Sequence, residues 1–509
     1  MKRLSKSRYT QFCQCPKALW LKLYKPELEE IDDSLQARFE HGTEVGDLAM
    51  GLLGDFVDVT SYTESGSLDL NAMIRKTRSE MGKGTENICE ASFSFVKDGM
   101  HHYCAVDILH KEPHGWSIYE VKSSTYTCDK DDTSKNLLAY IRDIAYQKWL
   151  LEQSGINVCG TFLIRLNSNY IREGKLDIQN LFHITDVKNL VEEESGVIDV
   201  NIREACDILK GEEPVCKIGS HCQQPYGCAF TKYCIGEIPE PNVFDLYRMN
   251  FSKKCDFYHQ GKITFEDLRY EKLSEIQQMQ VESHICKKHH IKPQEIRSFL
   301  KNLSFPLYFL DFETMQSPVP PYDQSKPYQQ IAFQYSLHWF DEEDGELKHT
   351  EYLGNSIDDP RRELAEKLCR AIPADACVTA YNKSFECSRI NEMAEIYPDL
   401  RDHLHAISSN IVDLIDPFRG KMVYLPAMNG SFSIKKVLPA LFPDSPELDY
   451  KNLSGSVHHG GEAMTLYPAI ARMSPEEAEE ARQSLLEYCK LDTLAMVRIW
   501  EKLKEYADL

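Results

Sequence analysis

The sequence predicts an α/β protein of two domains with a helical segment between them. Three observations predict it. From Leu307 to Leu509 short apolar runs are each followed by an amphipathic stretch, the pattern of strands covered by helices. Up to about Pro241 helical patterns and strand-like runs mix in the same way. Finally, 509 residues suffice for two or three cores at roughly 100 to 200 residues per domain. The expected boundaries are 1–241, 242–300 and 301–509, because "IPEPNVFDLYRMN" sets two prolines among polar residues and the stretch after it reads as mostly helical.

Composition narrows the class. With 42% hydrophobic and 27% charged residues the chain reads as an ordinary soluble globular protein. Its basic start never becomes a continuous apolar segment, and no run approaches the ~18 apolar residues of a membrane span. A cytoplasmic protein without a membrane partner is therefore expected. The net charge of −21 argues against coating nucleic acid with the whole surface, while leaving room for a local basic groove. Seventeen cysteines in a reducing compartment point to metal binding wherever they cluster; isolated ones such as Cys104 and Cys377 read as small buried hydrophobes.

The first element set is "HYCAVDILHKEPHGWSIYEVKSST". Two strands separated by a turn at Pro113 and Gly115 make a hairpin. Glu120 and Lys122, two apart, share a face, and Asp107 lies beside them on the partner strand. By spacing alone this is a cross-strand ion pair or a hydrolytic site.

The order Asp, then Glu-x-Lys after a hairpin, resembles the PD-(D/E)XK nuclease core, in its RecB-like and CRISPR-associated Cas-four-like members. The resemblance implies a restriction-endonuclease-like domain. Asp107 and Glu120 would hold one or two Mg²⁺ or Mn²⁺ ions, and Lys122 would position the attacking water. Glu90 in "ICEASFSF" would assist as an upstream acid, and Gln147 in "DIAYQKWLLE" matches the glutamine of the following helix. Leu151 stands where relatives often have tyrosine. Gly46 stands where they often have a metal-binding histidine, with His41 a poor substitute.

Cys222, Cys228 and Cys234 in "HCQQPYGCAFTKYC" recur every six residues around Pro225 and Gly227, too close for chance but one ligand short of a closed site. The resemblance supplies Cys15 of "QCPKALWL" and implies a [4Fe-4S] cluster. Zn²⁺ is the alternative, with Cys13, Cys216 and His221 as further ligands, and unligated thiols come last. A staple closing about 200 residues constrains the unfolded chain.

In the last domain "FPLYFLDFETMQ" reads as a buried strand carrying Asp311 and Glu313 on one face. Adjacent carboxylates repel, and a divalent cation is the simplest neutraliser. The strand 377–381 runs into a helix that Ser384 is expected to cap, with Glu386 in its first turn. "SPEEAEEARQSLLEYCKLDTLAMVRIWEKL" opens with Ser474, Pro475 and Glu477 as a capping box, and Asp492 interrupts its apolar stripe one turn after Tyr488.

The series "DFE", "YNKSFE" and "YCKLD" resembles the three motifs of the DEDDy exonucleases, the DnaQ-like branch of the ribonuclease H fold. This implies a mixed sheet flanked by helices, with two metal ions held by Asp311, Glu313, Glu386 and Asp492 and a water oriented by Tyr488. Glu386 departs from the usual aspartate. Over nearly its whole length the chain is similar to a bacterial family pairing such a RecB-like nuclease with an exonuclease-like domain. The expected function is a metal-dependent DNA nuclease, an exonuclease acting on single-stranded or end-bearing DNA, in repair, recombination or defence against foreign DNA. The alternatives are a nucleic-acid-binding or assembly protein with one inactive fold, and a C-terminal 3′–5′ exoribonuclease acting on RNA. Tyr126, Trp149, Phe418 and Tyr424 read as core more often than as base-stacking platforms, and "VHHGG" as a flexible loop.

Overall fold

Long strands around residue 100 organise the first half of the protein. The structure, a computed structural model, describes residues 2–30, 42–97, 99–127 and 136–509, and the protein is mixed α/β with several sheets. The chain divides into two units. Unit 1 is Met1–Glu237 with Ser317–Tyr328, and unit 2 is Ile238–Gln316 with Gln329–Leu509.

Unit 1 is built on a seven-stranded sheet. Its strands are β1 (Arg3–Ser5), β2 (Val57–Asp58), β3 (Asn87–Lys97), β4 (Met100–Glu112), β5 (Gly115–Tyr126), β6 (Val158–Asn167) and β7 (Phe182–Asp186), in the order β2-β3-β4-β5-β6-β7. The expected hairpin is β4–β5, antiparallel, with a turn of only Pro113 and His114. Gly115 opens β5 where a Cβ would stand 2.4 Å from the Asn157 carbonyl oxygen, so no side chain fits.

β4 is longer than β5 and changes partner along its length. Ile108 pairs with Tyr119 of β5, whereas His101–Tyr103 pair in parallel with β1. Asp107 therefore sits at the fork between β1 and β5. The helix Leu137–Gln153 lays a buried face of Ile141, Ile144, Ala145 and Leu151 over the sheet's core. That burial gives Leu151 its role here, as packing.

The segment Ser317–Tyr328 is part of unit 1 although in chain order it links two strands of unit 2. Arg172 donates to the carbonyls of Pro320 and Pro321 (3.0 and 2.9 Å), and its backbone exchanges hydrogen bonds with Gln324 and Ser325. Val319 and Tyr328 pack on a core that includes Ile108 and Ile164.

Unit 2 has a two-stranded ribbon, β8 (His290–Ile291) with β14 (Val423–Tyr424), and a mixed five-stranded sheet. The sheet comprises β9 (Leu307–Met315), β10 (Ile331–Phe340), β11 (Lys348–Leu353), β12 (Cys377–Ala380) and β13 (Ile411–Asp413), ordered β11-β10-β9-β12-β13. β10 runs antiparallel to both neighbours, while β9, β12 and β13 are parallel. The 242–300 stretch folds into helices Phe251–His259, Phe265–Leu268, Glu275–Cys286 and Pro293–Leu300, with a small core around Val243, Leu246, Phe265 and Val281.

Two helix starts place acids. Ser474 caps Pro475–Ala507 as the sequence predicts, reciprocally with Glu477. Ser384, by contrast, is not a cap. It is the first residue of Ser384–Ile396, and Lys383 occupies the cap position. The free N–H groups of Asn382 and Lys383 donate instead to Asp413 at the end of β13 (2.8 and 3.1 Å). Asn382 adopts φ +73°, which asparagine tolerates better than most residues. Among the described residues no helix is long and apolar enough to cross a membrane.

Candidate metal centres and thiol cluster

In unit 2 the pleat of β9 turns Asp311 and Glu313 to one face and Phe312 to the other. The long helix lies against β9 and brings Asp492 to the same place. One carboxylate oxygen from each of Asp311, Glu313 and Asp492 lies within 4.8 Å of the other two. Glu386 is outside that trio but within electrostatic reach of all three acids. It is 2% exposed, and its Oε2 has no hydrogen-bond partner.

Burial raises all four carboxyls, and repulsion from neighbouring acids adds to it at Asp311, Glu313 and Glu386. Asp311 and Glu313 lie well above the usual carboxylate range, Glu386 is pushed up to about 8 and Asp492 to about 6. Asp492 is moderated by Tyr450, whose hydroxyl donates to its Oδ1 at 2.5 Å, then by the Lys435 ammonium and by the neighbouring Tyr488 hydroxyl. Lys435 stands 5.0 Å from the ring centres of both tyrosines, and its Nζ donates to the His458 carbonyl. "VHHGG" is a helix start rather than a flexible loop. His459 caps Gly460–Ala469, and a Cβ at Gly460 would lie 3.7 Å from Glu313 Oε2.

In unit 1 Asp107, Glu120, Lys122 and Gln147 come together. Lys122 Nζ donates to Glu120 Oε1 (2.6 Å), Gln147 Nε2 donates to Glu120 Oε2 (2.7 Å), and the Val121 N–H donates to Asp107 (2.7 Å). Two further charges complete the cluster. Asp143, one turn before Gln147 on the same helix face, accepts from Lys122 (2.7 Å). Lys6 reaches Asp107 and Glu120.

Burial raises Glu120, but Lys122 and Lys6 outweigh it and hold the carboxyl well below the ordinary range. Asp107 is raised to about 6 by burial and then by Glu120. Glu90 lies opposite Asp107 across β3–β4 with φ +56°, a backbone strain that displaces it from the regular ladder. Burial and then Asp107 raise it to about 7. Gly46 is described, with nothing within 4 Å of where a Cβ would project. His41 lies outside the described residues.

Cys15 sits between two helices and is buried with Ala18, Leu21 and Phe230; Cys216, Cys228 and Cys234 pack against that group. Gln14 fixes the meeting by donating to the carbonyls of His221 and Tyr226 (2.9 and 2.8 Å). Cys222 is tied to Cys228 by the Cys228 N–H donating to its carbonyl (2.8 Å). Burial lifts Cys15 to about 12, partly offset by the N–H groups of Ala18 and Lys17, and lifts Cys222, Cys228 and Cys234. Cys13 is half-buried and packs on the sheet core instead. Of the aromatics, Trp149, Phe418 and Tyr424 are core residues, and Tyr126 stacks on His183.

Lys6, Asp143, Lys435, Tyr450 and Asp413 were not singled out by sequence reasoning. Asp143 had a signal, its i, i+4 spacing to Gln147. Tyr450 lies in an irregular stretch without periodicity, so nothing local marked it.

A family model described as "Domain of unknown function (DUF2779)" matches residues 308–433, a span that includes Asp311, Glu313 and Glu386. The chain is 30% identical over 230 residues to "Uncharacterized protein UU173" of Ureaplasma parvum, covering 41% of this chain and 33% of that protein. It is 29% identical over 227 residues to "Uncharacterized protein MG366 homolog" of Mycoplasma pneumoniae, covering 42% and 34%. "Uncharacterized protein MG366" of Mycoplasma genitalium is 28% identical over 206 residues, covering 38% and 31%. The matches thus span about a third of each relative's own length, and similarity to these proteins is what the sequence comparison establishes.

Proposed function

We propose that the chain is a metal-dependent nuclease that hydrolyses DNA from single strands or ends, with a PD-(D/E)XK-like site in unit 1 and a ribonuclease H-like DEDDy site in unit 2. One observation carries the reading: three carboxylates from a strand and a helix converge within 4.8 Å, with a fourth buried beside them. Four clustered acids, three of them buried, are only partly compensated by Tyr450 and Lys435, and the remaining cost is recovered when a cation binds. The unpartnered Glu386 Oε2 and the crowding fit Mg²⁺ or Mn²⁺, both oxygen-seeking ions.

Asp311, Glu313, Glu386 and Asp492 would hold the ions. When bound, such ions lower the pKa of water and stabilise the leaving oxygen. The chain's own contribution is positional: Tyr450 fixes the Asp492 carboxylate by donating to it, and the Asn382–Asp413 bond ties down the start of the helix that carries Glu386. In unit 1 Lys122 is braced between Glu120 and Asp143, aimed so that its ammonium can orient a water.

Cys15, Cys222, Cys228 and Cys234 would hold a [4Fe-4S] cluster whose role is to staple the termini of unit 1. Zn²⁺ is the alternative occupant of the same thiols.

The test uses the full chain purified without air. End-labelled single-stranded and duplex DNA and matched RNA are incubated with Mg²⁺ or Mn²⁺. DNA shortening that stops with chelator and is abolished by the double change Asp107→Ala, Asp492→Ala is the expected result. Activity surviving that change overturns the assignment, and preference for RNA moves unit 2 to exoribonuclease chemistry.

A further inference from the structure

The two acid clusters differ in how their charge is balanced. In unit 2 Asp492 accepts from the Tyr450 hydroxyl, and the nearby ammonium, Lys435, donates to the His458 carbonyl and acts on Asp492 and Glu313 only at longer range. Unit 1 is different. Lys6 Nζ lies 3.4 Å from Asp107 Oδ1 and 3.2 Å from both oxygens of Glu120, while Lys122 bridges Glu120 and Asp143. Asp107, Glu120 and Asp143, with Glu90 beside Asp107, face two ammonium groups before any metal arrives.

The fold places Lys6 there. It follows β1, which pairs with β4 up to Ser5 and Tyr103, and it opens the helix Lys6–Gln14 at the fork where β4 passes from β1 to β5. The two carboxylates that the nuclease reading assigns to a divalent ion therefore share a cation supplied by the chain itself. Lysine suits this task because its charge is compact and its stem flexible, so it can both occupy and vacate the position.

We propose that Lys6 is a resident counter-cation of the Asp107–Glu120 pair, standing where a divalent ion would bind, and that a metal ion enters unit 1 only by displacing it. This rests on the nuclease reading of unit 1. Unit 1 then fills at higher metal concentration than unit 2, so the two sites switch on at different metal levels. Lys6 is a positioning residue, and its removal makes the acid pair a stronger metal site.

The experiment is Mn²⁺ binding by the full chain, followed through the paramagnetic resonance signal of free Mn²⁺. The double change Asp311→Asn, Asp492→Asn silences unit 2 in every sample. Adding Lys6→Met should tighten the remaining Mn²⁺ binding at least about ten-fold, since it removes one unit of positive charge a few ångströms from the ion. Equal or weaker binding overturns the proposal while leaving the nuclease reading of unit 1 intact. If neither protein binds Mn²⁺, that reading itself fails and the proposal with it. A second measurement needs no change at Lys6. In the silenced parent, saturating Mn²⁺ should raise acylation of Lys6 by an amine-reactive ester, read by mass spectrometry. Bound Mn²⁺ with no change in Lys6 labelling overturns the displacement.

Discussion

Glu386 carries the clearest residue-scale consequences. Its carboxyl ordinarily titrates near 4.5 and here is held at about 8 by burial first and by neighbouring acids; Asp492 moves from 3.8 to about 6. A carboxyl raised in the folded state binds more protons folded than unfolded, so its contribution to stability is present below the unfolded value and is lost as pH rises through the folded one. Metal-free protein should therefore lose stability between about pH 4 and about pH 8, and Mn²⁺ should flatten the slope. Thermal unfolding across that range, with and without Mn²⁺, measures it; a slope unaffected by the ion would count against a metal at these acids. Replacing Glu386 with glutamine should raise metal-free stability at pH 8 and weaken Mn²⁺ binding by about ten-fold or more, because one buried anion is lost. Titration calorimetry reads the second effect directly. Asp311, Glu313 and Asp492 were legible because each breaks an apolar pattern. Lys6, Tyr450 and Asp413 were not, because they reach the acids from distant parts of the chain and local periodicity does not encode such meetings.

At the scale of elements, strands and caps were readable wherever a local rule applied. Alternation and turn residues located the β4–β5 hairpin, and the Ser474–Glu477 pair located the long helix. Replacing Ser474 with alanine should cost about 1 kcal/mol in a denaturant titration, from loss of the reciprocal cap. Mn²⁺ binding should be unchanged, because Asp492 lies several turns from that end. The expected cap at Ser384 failed for a different reason. Asp413, from β13, accepts from the two N–H groups just before the helix, and this tertiary carboxylate rather than a local hydroxyl anchors its entry. The same bonds tie β13 to the helix that presents Glu386.

On the scale of the whole molecule, the six-residue spacing of the three late cysteines was visible, whereas their link to Cys15 came from resemblance; in the fold Cys228 and Cys234 pack on the Cys15 group, and Gln14 bonds to His221 across 207 residues. Replacing Cys228 with serine should lower bound iron from about four atoms per chain and reduce the visible absorption, with a lower unfolding temperature. A colourless wild-type protein containing zinc would revise the assignment.

The Ser317–Tyr328 segment has a practical consequence for anyone dissecting this protein. It leaves β9 just beyond Asp311 and Glu313, belongs to the other unit through contacts with Arg172 and the packing of Val319 and Tyr328, and returns to begin β10. Neither unit is one uninterrupted stretch of polypeptide. A gene cut near Pro241 yields a first fragment missing a piece of its surface and a second with that piece dangling beside its acids. Half-proteins made this way would misreport both centres, so each is best silenced by substitution within the intact chain.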